Sequence, residues 1–149
     1  MRRRYAGVII ALALGVCVSA CQMGATPGSQ PGMTLQVTRA PLGSSAPVTF
    51  EKTVTAASAV QRLYGAALAL PHAGPRSCPT TTEGYVRQDY HLIFQRGSAP
   101  LLPMTLQDWG CGDVIIGSND VRGAKDVRRT DATFRALFAQ TIGISPTAL

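Results

Sequence analysis

The residues that could do chemistry in this chain are few and scattered: Cys78 and Cys111, His72 and His91, and the aspartates in and after DWGCGDVIIGSND. A cysteine nucleophile needs a thiolate and a base within hydrogen-bond reach. Cys111 with His91 and an orienting aspartate has the right residue types, but no family signature surrounds either one. GxSxG, HExxH and glycine-rich phosphate loops are absent. The two histidines lack zinc spacing and no CxxC accompanies them. Asp108, Asp113, Asn119 and Asp120 crowd two glycine turns, yet the calcium loop pattern D-x-[DN]-x-[DN]-G-x₅-E is not matched. Aspartates in such turns usually hydrogen-bond their own backbone. Glu51 and Glu83 are the only glutamates, and no carboxylate pair suits acid–base work. The reading is no catalytic residue, no metal and no cofactor.

Binding chemistry is better supplied. Trp109 beside a glycine turn could offer an aromatic platform to a sugar or peptide, or it could close one end of the core, since tryptophan is well buried on average. Together with Leu101 it is the candidate contact for a ligand or partner. Arg122, Lys125, Arg128 and Arg129 are interleaved with Asp120, Asp126 and Asp131, the mixed sign of a solvated connector.

These residues must be positioned by elements read from periodicity. MTLQVTRA alternates from Met33 and suits a short leading strand, and APVTFEKTVT places Val48, Phe50, Lys52 and Val54 on alternate sites. Val60, Leu63, Tyr64, Ala67 and Leu68 fall on one helical face, with Thr55 as the expected N-cap and Pro71 as the stop. Gly65 inside this helix marks either a local cost or a close approach. YVRQDYHLIFQRG puts Tyr90, Leu92 and Phe94 on one strand face and His91 and Gln95 on the other. LLPMTLQDW and DVIIGS follow as strands joined by Gly110-Cys111-Gly112, and Pro103 argues for an edge position or a bulge. The last helix carries Phe134, Leu137, Phe138, Thr141 and Ile142 on one face, capped by Asp131 and stopped at Gly143. The predicted fold is α+β: an antiparallel sheet of four to five strands with two amphipathic helices packed on one face, in the order β-α-β-β-β-α with an optional leading strand.

The N-terminus sets the location. Arg2, Arg3 and Arg4 precede an apolar run from Ala6 to Val18, shorter than the roughly 20 residues a membrane span needs. A basic start, a short apolar stretch and small residues before a cut describe an export signal. Val18-Ser19-Ala20-Cys21 resembles the lipobox of bacterial lipoproteins. That resemblance implies lipid on the Cys21 thiol and cleavage just before it, and Cys17 fails the pattern because Val16 stands where a small residue belongs. It covers only the first 21 residues. The part behind it looks similar to small lipoproteins of unknown function, with no motif that names a family.

Under this resemblance residues 1–20 are a cleaved signal, 21–32 a lipidated tether rich in Gly, Pro and Ser, and 33–149 one domain. The tether holds the domain roughly 20 Å from its anchor. Removing three arginines lowers Lys plus Arg from 14 to 11 against 8 acids, so a net +6 becomes +3, which predicts no nucleic-acid partner. Losing Cys17 and lipidating Cys21 leaves Cys78 and Cys111, which export allows to pair. Such a bridge contributes roughly 3–4 kcal/mol by loop-closure entropy. The expected protein is extracytoplasmic, anchored to a bacterial membrane by lipid, and a binding or accessory module for an envelope protein or polymer. Two other activities stay open: an enzyme inhibitor presenting HAGPRSCPT, and a small hydrolase built on Cys111 or His91.

Overall fold

The computed structural model describes residues 31–41, 47–78, 88–117 and 126–149. Among these residues seven antiparallel strands form one sheet: β1 (Met33–Pro41), β2 (Phe50–Val54), β3 (Gln88–Arg96), β4 (Ala99–Pro100), β5 (Met104–Gln107), β6 (Val114–Ile116) and β7 (Asp126–Arg128). Their order across the sheet is β2-β1-β3-β5-β6-β7, with β4 also paired to β3. Among the described residues two helices accompany the sheet, α1 (Ala57–Ala69) after β2 and α2 (Ala132–Ile142) after β7, and a 3₁₀ turn follows at Pro146–Ala148. Both β2 and β3 are antiparallel to β1, on its two sides, so they run parallel to each other. Two parallel strands cannot be joined by a tight turn, and α1 is the crossover between them.

Alternation along the strands separates two faces. Leu35 and Val37, Leu92 and Phe94, Met104 and Leu106, and Val114 and Ile116 are buried on one face. Val60, Leu63 and Ala67 of α1 and Phe134, Phe138 and Ile142 of α2 join them in a single core. Tyr90 meets Phe138 edge-on at 5.2 Å, and Tyr64 meets Phe94 at 5.0 Å, geometries that suit the ring quadrupoles. The opposite face carries Gln36, His91, Ile93 and Gln95, more open to solvent.

The architecture is therefore the expected α+β layer, with more strands than the four to five read from the sequence. The leading strand exists as β1. Of LLPMTLQDW only Met104–Gln107 is strand, and Leu101–Pro103 separates this β5 from β4, both of which pair with β3. Pro103 lacks an amide donor and lies in that interruption, while its carbonyl accepts from the Gly117 amide at 2.8 Å. It is a bulge rather than an edge, because β5 is flanked by β3 and β6. The supposed solvated connector supplies β7, and Arg128 there donates to the Leu70 carbonyl at 2.9 Å, closing the C-terminal end of α1. Beyond β7 the sheet extends once more. The Arg129 amide donates to Pro71 and the Ala73 amide to Val127, each at 2.8 Å, around a His72–Arg128 bridge.

Asp131 caps α2 as its position implied, accepting from the Phe134 amide at 2.7 Å. Gly143 ends that helix, and the Ile144 amide reaches back to Ala139 at 3.0 Å. Thr55 does not cap α1; Ala56 occupies the cap position and no side chain bonds there. A Cβ at Gly65 would meet nothing within 4 Å, so no close approach accounts for this glycine. Val48, expected inside a strand, lies before β2 and is 52% exposed. No described helix is long and apolar enough to cross a membrane.

Candidate functional site

Contacts from distant parts of the chain converge on residues 108–113, the turn between β5 and β6. Cys111 is bonded to Cys78 across 33 positions, with Cα atoms 5.1 Å apart. The bridge consumes both thiols, so Cys111 offers no thiolate. Asp108 is ion-paired with Arg39 and accepts from the Gln88 amide at 3.3 Å. Asp113 is ion-paired with Arg76. The Gly112 carbonyl accepts from the Thr130 hydroxyl at 2.6 Å. The Asp108 side chain is 2% exposed against 27% for Arg39, so this ion pair is well shielded from water. Removing one partner of such a pair leaves a buried charge and costs more than a surface pair would. Arg39 also stacks over Tyr90, 5.1 Å from the ring centre, which ties the turn to the aromatic core.

Trp109 is half-buried, outside the main core, and its indole N–H donates to Asp89 Oδ1 at 2.9 Å. Asp89 projects to the face away from the helices and is 1% exposed. Its Oδ2 meets no hydrogen-bond partner among the described residues. Burial pushes the Asp89 carboxyl above the ordinary carboxylate range; the Trp109 N–H and the neighbouring His91 oppose that shift, and Asp108 adds to it. His91 lies two residues along the same strand, with Nδ1 3.4 Å from the Thr105 hydroxyl.

The structure does not bring Trp109 and Leu101 together. The Leu101 amide donates to Phe94 near one end of β3, and its side chain packs against the core. Trp109 sits beside Asp89 at the other end of β3. Five strand positions, about 17 Å, separate those two rows. Asp108 and Asp113 are held by arginines rather than arranged around a cation, and no group of three potential metal ligands occurs among the described residues. Cys21, Glu83, Asn119, Asp120, Arg122 and Lys125 lie outside the described residues. The segment HAGPRSCPT is described through Cys78. His72 and Ala73 pair with β7, Arg76 pairs with Asp113 and Cys78 is bridged, so this part is tied to the domain at several points, while His72, Gly74, Pro75, Ser77 and Cys78 are exposed.

One shallow cavity of about 250 Å³ lies between the end of α1 and the start of α2, lined by Ala69, Leu70, Pro71, Phe134 and Leu137 among others. Its one ionisable group, Asp131, is committed to capping α2. The cavity can shelter an apolar group and has no acid–base pair.

Sequence reasoning identified Cys78, Cys111 and Trp109 but not Arg39, Arg76 or Asp89. Arg39 and Asp108 are 69 residues apart, and only the strand register brings them together. The one available signal for Asp89 was its parity with His91: an acid on the outward side of a strand whose inward side is Tyr90, Leu92 and Phe94. Comparison with protein-family models, curated proteins and solved structures gives no match to this chain.

Proposed function

We propose that this chain is an exported lipoprotein of a bacterial envelope, anchored through Cys21, whose domain binds an envelope protein or polymer and performs no catalysis. The observation that carries the reading is the Cys78–Cys111 bridge. Bridges persist in oxidising compartments and are rare where glutathione keeps thiols reduced, so the pairing supports export. It also accounts for two of the four cysteines and leaves Cys21 at the end of the VSAC run, where the lipobox resemblance wants it.

The binding part of the reading rests on the β5–β6 turn. A loop held by a disulfide and two arginine ion pairs loses little conformational entropy when a partner arrives, which is the main advantage of preorganisation. Trp109 supplies an aromatic surface of the kind that anchors interfaces. The test is a photo-crosslinking amino acid placed at Trp109 and, separately, at Leu68, in cells making the full chain. The reading expects one discrete adduct from position 109 and none from position 68. Identical adduct patterns from both positions would remove the turn as the binding surface.

A further inference from the structure

The opposite end of the sheet has a different chemistry. The chain enters the folded domain at Pro31 and Gly32, and the Gly32 carbonyl accepts from the Gly97 amide at 3.1 Å. Met33 and Ala99 both pair with Arg96, one on each side. The point of entry thus touches the segment 97–103 at Gly97, and Ala99 lies about 10 Å from Met33, two strand spacings. Arg96, Gly97, Ser98, Ala99 and Pro100 are all exposed, Leu102 is 51% exposed and Ile93 is 43% exposed.

The carboxylates divide along the same axis. No Asp or Glu occurs from Cys21 to Phe50, or from Tyr90 to Gln107. Through the register, Asp126 lies on the Leu92 row and Glu51 on the His91 row, while Asp89 is lower still. Every described strand carboxylate is therefore at least four positions, about 13 Å, from the Arg96 row. An anionic surface repels carboxylates and attracts basic side chains, and an apolar side chain gains by leaving water at the headgroup boundary.

We infer that the turn Gly97–Pro103 is a second membrane contact, with Leu102 entering the lipid interface and Arg96 meeting anionic headgroups. This rests on Cys21 carrying the lipid. Ten positions separate Cys21 from Pro31, at most about 35 Å of chain, so lipid on Cys21 keeps the point of entry, and with it this turn, within reach of the bilayer. Because the acyl chains already retain the protein, the contact acts on orientation: it holds the Gly97–Pro103 end against the membrane and points the Asp108–Asp113 turn away.

The test uses the mature lipidated protein in vesicles of phosphatidylethanolamine and phosphatidylglycerol, with bromine in the acyl chains as a short-range indole quencher. Leu102→Trp, Leu68→Trp and the wild type are compared, and intact mass establishes the acyl chains on each. The added emission of Leu102→Trp is expected to fall about twofold, since a side chain at the interface lies within about 10 Å of the acyl boundary. The Leu68→Trp and wild-type signals are expected to stay unquenched. Acylated, vesicle-bound protein with no quenching at position 102, or equal quenching at 102 and 68, overturns the membrane contact and leaves the lipoprotein reading standing. A mass without acyl chains overturns both.

Discussion

The two ends of the sheet are built in opposite ways. At the β5–β6 end a six-residue turn is tied down by the Cys78–Cys111 bridge, by Arg39 and Arg76 on its two aspartates, and by Trp109 on Asp89. At the β3–β4 end the segment 97–103 is held through its backbone, by Gly97, Leu101, the Pro103 carbonyl and the pairing of β4 with β3, and leaves Leu102 in solvent. Polar cross-links between distant segments are costly to assemble and worth having where a shape must persist. An exposed leucine beside prolines, without neighbouring carboxylates, suits a surface that meets lipid. The difference is between an end made rigid and an end left apolar.

The largest effect expected from breaking this contrast is loss of the bridge. Replacing Cys78 and Cys111 together by Ser should cost about 3–4 kcal/mol from loop-closure entropy, read as a lower denaturation midpoint. Amide exchange should rise most within residues 108–113 and little in the turn 97–103. A uniform rise would show that the bridge stabilises the whole sheet and that the two ends are not distinct in this respect.

Asp89 sharpens the comparison through pH. Its carboxyl is raised above the usual value by burial, so the folded state favours the neutral form. The sign is then fixed: the contribution is fully present below the ordinary carboxylate pKa and is lost as pH rises through the folded value. Asp89→Asn keeps an oxygen for the Trp109 N–H and removes the charge. It should be more stable than the wild type at pH 7, by thermal unfolding, with the advantage gone below the ordinary carboxylate range. Asp126 behaves oppositely, lowered by its hydrogen bond from Arg128 with the charges of Arg128 and His72 helping, so its support is present at neutral pH and lost on acidification.

The smallest effect should come from Gly65→Ala, on a helix surface belonging to neither end. The new methyl meets nothing within 4 Å, and the variant should gain about 0.5–1 kcal/mol through reduced backbone freedom in the unfolded chain. Its exchange pattern should be unchanged at both turns, which makes it the reference for the other variants.

How much of this was legible from residues alone varied with the range of the interaction. Both helices were, because Val60, Leu63 and Ala67, and Phe134, Phe138 and Ile142, repeat at helical spacing over about two turns. The alternation of Tyr90, Leu92 and Phe94 marked β3 equally well. β7 escaped because Asp126-Val127-Arg128 is three residues long and polar at both ends, so no period can be read from it. Pro103 signalled trouble within LLPMTLQ without saying whether an edge or a bulge resolved it; the flanking strands decide that. Thr55 was one residue too early to cap α1, the usual size of error when a boundary is read from composition. In the candidate site, the Cys78–Cys111 pair followed from counting, whereas Arg39 on Asp108 depends on a register between strands that no local pattern contains.

Intact mass tests the bridge, export and the lipid on Cys21 together. Protein extracted from its native membrane would be weighed without reductant, then after reduction and thiol alkylation. The account expects loss of residues 1–20, added acyl chains, and two alkylatable thiols that appear only on reduction. An unlipidated mass with a thiol that alkylates before reduction would contradict it.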